Sequence, residues 1–141
     1  MGGFLLDTNL LIALSWPSHT SYFVAHRWFE RNAKEGWATC PLTECGFVRV
    51  VSNPAFSPHA LSVGDSLKLL ASNLNHPMHQ FFPDNLNLLA ALKGTLQNLR
   101  GHQQITDAYL LGLAVYHKSK FATLDRGVLG LGSSASVELI H

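Results

Sequence analysis

Cysteine is scarce in this 141-residue chain: there are two, Cys40 and Cys45. Their spacing suits neither a disulfide scaffold nor a C-x-x-C redox or zinc pair, and two free thiols suggest a reducing compartment. Charge is scarce as well. Asp, Glu, Lys and Arg make up 13% of residues, against a usual ~25%, and nine acids against ten Lys+Arg leave a formal charge of +1. No global field draws the chain to a polyanion, so nucleic-acid binding would have to come from a local patch. Long apolar runs are missing too; none approaches the ~18 residues of a membrane helix. The start, Met1-Gly2-Gly3-Phe4-Leu5-Leu6-Asp7, has no basic region and soon meets an acid, so no signal peptide is expected. A hydrophobic content of 47% excludes a disordered chain.

What is present alternates. Short apolar runs at Phe4–Leu6, Trp37–Cys40, Gln80–Phe82, Lys120–Leu124 and Val137–Ile140 read as strands buried on both faces. Between them the spacing predicts helices over Asn9–Trp16, Ser18–Glu35, Glu44–Val51, Ser62–Leu74, Asn85–Leu99 and Asp107–Ser119. Thr43 and Thr106 are expected to cap two of these, and Asp84 a third. Strands alternating with helices predict βαβ units, a parallel sheet and helices on both of its faces. Neither repeats nor low-complexity tracts interrupt the chain, and its length fits one domain over 1–141.

Because acids are few, their positions carry information. Asp7 follows Phe4-Leu5-Leu6, and Asp125 follows Phe121-Ala122-Thr123-Leu124, each at the carboxyl end of a predicted strand. Glu44 and Asp107 fall in the first turns of predicted helices. Helices in βαβ units run antiparallel to the strands, so all four carboxylates are expected at one sheet edge, the edge where open α/β sheets bind ligands. Each also has a local reading: Asp7 as a helix cap, Asp125 in an Asx turn before Gly127, Glu44 and Asp107 answering a helix dipole. Together they repel, at a few kcal/mol per close pair for an effective dielectric of ~20. Arg126 is the only adjacent base. A divalent cation is the economical counter-charge, and an all-carboxylate donor set suits Mg²⁺, with Mn²⁺ as the alternative. His76 and His79 are expected to be solvated loop histidines rather than metal ligands.

The segments L-L-D-T-N at 5–9, T-E-C-G-F-V-R at 43–49, I-T-D-A-Y-L-L-G-L-A at 105–114 and A-T-L-D-R-G at 122–127 resemble the four acidic motifs of PIN-domain ribonucleases. They are most similar to VapC-type toxins of bacterial toxin–antitoxin (VapBC) pairs, in the same order and over essentially the whole chain. That resemblance implies a three-layer α/β/α sandwich with a parallel sheet of about five strands, order 3-2-1-4-5. It implies a Mg²⁺-dependent endoribonuclease, leaving 5′-phosphate and 3′-hydroxyl ends. By motif position, Asp7, Asp107, Asp125 and Glu44 take the metal-binding and catalytic roles. Thr8, Asn9, Thr123 and Arg126 fall where substrate or supporting contacts are expected. The implied partners are RNA, a VapB-type antitoxin and a second copy of the chain, in the cytoplasm and away from membranes.

Two further classes stay open at this stage. A non-catalytic metal- or RNA-binding domain would keep the acids without the chemistry. An Asp-nucleophile phosphatase would want a second Asp two positions after the first, where this chain has Asn9. Arg27, Arg31 and Lys34 share one helical face, which either tracks phosphates or is simply solvated.

Overall fold

Three-residue strands bury little alone, so their neighbours in space decide the fold. The computed structural model describes residues 2–141; Met1, which begins the acid-terminated N-terminal segment, lies outside them. The elements run β1 Phe4–Leu6, α1 Thr8–Ser15, α2 Tyr22–Asn32, β2 Trp37–Thr39, α3 Pro41–Val51 and α4 Val63–Leu74. They continue with β3 His79–Phe81, α5 Leu88–Leu92, α6 Ile105–Tyr116, β4 Lys120–Thr123 and β5 Val137–Leu139. The strands form one five-stranded sheet of order β3-β2-β1-β4-β5, every pairing parallel. The expected order 3-2-1-4-5 is the observed one. Central β1 sets Phe4 opposite both Trp37 and Lys120.

Side chains alternate along β1 and so feed two cores. Phe4 and Leu6 enter one with Leu10, Ala25, Phe47 and Leu70, contributed by α1 to α4. Leu5 enters the other with Leu110, Leu113, Phe121, Val128 and Leu131. The result is helices, sheet, helices. Leu5 and Leu6 have no exposed surface, and burial of such a side chain contributes about 1.5–3 kcal/mol. Gly36, at φ +96°, turns the chain from the α2 side into β2. Gly112 allows α5 to press on α6, since a Cβ there would lie 2.2 Å from the Ala91 carbonyl oxygen.

Several boundaries differ from expectation, for local reasons. The helix expected from Ser18 begins at Tyr22, because His19 Nδ1 accepts the Ser21 N–H and holds a turn there. Pro41 opens α3 rather than merely closing β2, and Thr43 acts at the third helical position, its hydroxyl oxygen accepting the Cys40 N–H. The helix expected over Asn85–Leu99 shrinks to α5 and a separate 3-10 turn at Leu96–Asn98. Gly94 weakens it, costing about 1 kcal/mol in a helix interior, and the in-phase Leu88, Leu89 and Leu96 stay exposed. Asn87, not Asp84, caps α5 by accepting the Ala90 N–H. A 3-10 turn at His102–Gln104 leads into α6, which starts at Ile105 and leaves Thr106 without a capping hydrogen bond. His79 opens β3 instead of lying in a loop.

Candidate metal centre

β1 stops at Leu6 because Asp7 turns the chain into α1. Asp7 adopts extended backbone at the helix N-cap, and its Oδ1 accepts the Thr8 N–H at 2.7 Å. Its own N–H still reaches the Ala122 carbonyl at 2.8 Å, so Asp7 stays zipped to β4. That pins the other carboxylate oxygen over the end of β4, where the Thr123 hydroxyl donates to Oδ2 at 2.7 Å. Thr123 is fully buried. Its Oγ1 also accepts the Asp125 N–H at 3.0 Å and the Asn9 side-chain amide at 3.5 Å. Asn9 Oδ1 accepts the Leu124 N–H at 3.4 Å. Thr123 is therefore committed to organising carboxylates and has no surface left for a substrate.

Asp125 is exposed, and its Oδ1 accepts the Gly127 N–H at 2.8 Å. Asp107 is half-buried in the first turn of α6. The local readings of Asp7 and Asp125 thus hold together with the collective one: cap and Asx turn orient the carboxylates that gather at this edge.

The charges show which acids converge. Burial raises the Asp7 carboxyl to about 6; the Thr123 hydroxyl opposes this, the Asp107 charge adds to it, the Thr8 N–H opposes it and the Asp125 charge adds again. Asp107 is raised by its own burial and then by Asp125. The Asp107 and Asp125 charges therefore both reach Asp7, and the Asp125 charge reaches Asp107. Glu44 stands at the same sheet edge but is turned to β2 and β3. Its Oε2 accepts the Thr39 hydroxyl at 2.7 Å, and its charge acts on His79 and Cys40. Neither the Asp7 nor the Asp107 shift draws on it. The first turns of α3 nevertheless lie against the site: Gly46 packs on Thr8 so closely that a Cβ would fall 2.7 Å from Thr8 Oγ1.

Arg126 is exposed and balances none of these charges, since the one ion pair among the described residues joins Lys120 to Glu138 at 3.9 Å. His76 serves the fold, its Nδ1 accepting from Trp37 Nε1 and the Met78 N–H. His79, lowered first by burial, brings Nε2 within 2.8 Å of Thr39 Oγ1. Sequence reasoning does not single out Thr39, and it leaves His79 in a loop. The available signal is a parallel between two threonines: Thr39 and Thr123 each end a strand, are fully buried, and donate a hydroxyl to a carboxylate at the same edge.

A cation fits this arrangement. The donors are hard carboxylate oxygens, and a nearby positive charge would favour the ionised form of both raised acids. No three His, Cys, Asp or Glu among the described residues already stand at direct ligating spacing.

The family model for the PIN domain matches residues 4–130. The chain belongs to the PIN-domain family. Ribonuclease VapC38 of Mycobacterium tuberculosis is 41% identical over 127 residues, covering 90% of this chain and 88% of that protein. Ribonuclease VapC39 of the same organism is 34% identical over 136 residues, covering 96% and 98%. Among solved structures, VapBC2 from Rickettsia felis bound to a promoter DNA fragment superimposes with a TM-score of 0.67 at 11% identity, covering all of both chains. FitAcB from Neisseria gonorrhoeae gives 0.65 at 18%, covering 98% of this chain and 96% of that one. Divalent-metal dependence is general among VapC ribonucleases with this PIN domain. No helix among the described residues is long and apolar enough to cross a membrane.

Proposed function

We propose that this PIN domain is a Mg²⁺-dependent endoribonuclease, the toxin half of a cytoplasmic toxin–antitoxin pair, with Mn²⁺ as the alternative ion. Relatives named ribonuclease VapC support the reading. So do structural neighbours solved as VapBC2 and FitAcB, which suggest a VapB-type antitoxin as partner. Residues 1–141 are taken as one domain, because β5, beyond the matched 4–130, completes the same sheet. The observation that carries the proposal is the buried Asp7 carboxylate, held on both oxygens by Thr8 and Thr123 and reached by the Asp107 and Asp125 charges, with no base paired to these acids among the described residues.

Asp7 and Asp107 would hold the principal ion, with Asp125 beside them. Bound there, the ion would activate water and shield charge on the phosphoryl oxygens. The chain's own groups do the rest. The Thr8 N–H and Thr123 hydroxyl fix both oxygens of Asp7, and the Gly127 N–H aims Asp125. Glu44, anchored through Oε2, would take the proton of the attacking water on Oε1. Exposed Arg126 would meet an RNA phosphate, while half-buried Thr8 and Asn9 line the approach. The phosphatase alternative loses ground, because Asn9 at the acid/base position is spent on Thr123 and the Leu124 N–H.

The antitoxin is proposed to lie along the apolar groove between α3 and α4, lined by Val48, Val63, Leu67 and Leu70, and the protein to act as a homodimer. The deciding test is cleavage of RNA by purified protein in Mg²⁺. Asp7→Asn and Asp107→Asn are each expected to lose about a hundredfold or more in rate, and EDTA to stop the wild type. Undiminished cleavage by either folded variant, or in EDTA, overturns the proposal.

A further inference from the structure

Glu44 is the acid of the four that stands apart, and what holds it is a hydrogen-bonded chain built from two other elements. Thr39 ends β2 with no exposed surface. Its hydroxyl lies 2.7 Å from Glu44 Oε2 and 2.8 Å from His79 Nε2. A hydroxyl has one proton and a carboxylate has none to give. The Thr39 proton therefore goes to Glu44, and the second contact is a bond only if His79 Nε2 carries a proton and donates it. Direction runs one way, from the β3 imidazole through the buried hydroxyl to the α3 carboxylate. Trp37 fixes the imidazole by packing on it at 4.7 Å between ring centroids. β2–β3 pairing sets Trp37 opposite His79, so the register of the sheet builds the chain. Glu44 Oε1 takes no protein hydrogen bond among the described residues.

We propose that Thr39 and His79 are positioning residues for Glu44, the directed chain from His79 Nε2–H through the Thr39 hydroxyl fixing Oε2 so that Oε1 alone is presented as proton acceptor at the sheet edge. The inference rests on the RNA-cleaving reading for the role of Oε1, and on hydrogen-bond geometry alone for the chain itself. It assigns β3, which carries none of the four acids, a part in the site. It also gives the two strand-terminal threonines one device: Thr123 fixes Asp7, and Thr39 fixes Glu44.

The test has two readouts. The first uses no substrate: nitrogen-15 spectra of histidine-labelled, metal-free protein report the His79 tautomer. The wild type is expected in the Nε2–H form, and Thr39→Val is expected to release it to a mixture; an Nδ1–H form in the wild type overturns the chain. The second is turnover. Thr39→Val is close in shape, and a hydrogen bond to a charged group lost from the transition state lowers kcat about tenfold or more, with KM little changed. Thr39→Ser restores it. In the Glu44→Gln background Thr39→Val costs nothing further, because the two act as one unit. His79→Phe keeps the ring against Trp37, removes the donor, and lowers kcat in the same direction, which covers a Thr39→Val that folds poorly. Wild-type kcat in folded Thr39→Val, or additive losses with Glu44→Gln, overturns the positioning role. If the wild type cuts no RNA, the cleavage reading falls, and the tautomer spectra still decide the chain.

Discussion

Asp7→Asn should stabilise the metal-free protein at neutral pH while removing its activity. Asp7 is 7% exposed and its carboxyl is raised from 3.8 to about 6. At 1.36 kcal/mol per pH unit, ionising it in the folded protein costs up to about 3 kcal/mol. The introduced asparagine would keep an oxygen for the Thr8 N–H. Its amide would face Thr123 Oγ1, forfeiting one hydrogen bond and about 1 kcal/mol. The net gain is about 1–2 kcal/mol, or roughly 3–8 °C in Tm for a chain of this size.

The pH dependence fixes the sign. Below 3.8 the carboxyl is protonated in both folded and unfolded chains, and its contribution to stability is whole. That contribution is lost as pH rises through about 6. Thermal melts in EDTA at pH 4.5 and pH 8 are the assay. Asp7→Asn should melt higher than wild type at pH 8 and no higher at pH 4.5. Mg²⁺ should then raise the wild type and leave the variant unmoved. A variant that melts below wild type at pH 8 in EDTA, or a difference that ignores pH, refutes burial and repulsion as the source of the Asp7 shift.

Divalent-metal affinity should fall on acidification, because the ion competes with the proton on Asp7: about tenfold between pH 7.5 and pH 5, read by titration calorimetry. A flat profile would place the ion away from Asp7. Gly112→Ala should cost about 1–3 kcal/mol in urea unfolding, since its Cβ would meet the Ala91 carbonyl at 2.2 Å and drive α5 from α6; unchanged stability would mean that α5 yields freely.

The parts of the fold legible in the sequence are those with local causes. Phe4–Leu6 and Lys120–Leu124 read as strands because their runs are apolar on both faces, and Asp7 and Asp125 could be placed at strand ends for the same reason; the second strand is observed at Lys120–Thr123. The Asn85–Leu99 helix misled because Leu88, Leu89 and Leu96 carry helical spacing on a surface, where periodicity has no core to answer. Start positions shifted where one side chain intervened, as His19 does before Tyr22. The Thr39–His79 contact was invisible, since it depends on β2–β3 register between segments far apart in the chain. The split of the acids into three and one was invisible for a related reason: a residue's place in the chain gives its sheet edge, but not the direction in which its side chain leaves it.

The cap at Asp7 and the Asx turn at Asp125 are compatible with a shared site at this edge. Asp7 and Asp125 accept backbone N–H groups as any cap or Asx turn would. At Asp7 the Thr8 N–H favours the ionised form, against burial and against the Asp107 and Asp125 charges. With local donors alone the balance still leaves Asp7 raised to about 6. A folded chain that keeps a buried carboxylate partly uncompensated forgoes stability at the sheet edge, as functional sites commonly do. The same deficit would give a cation a reason to bind there. Filling the site with a base in local sequence would have stabilised the apoprotein and occupied the position an ion needs. In this scarcely charged chain no Lys or Arg stands directly beside Asp7, Glu44 or Asp107 in sequence, and the acids of the proposed site keep their charge for a cation.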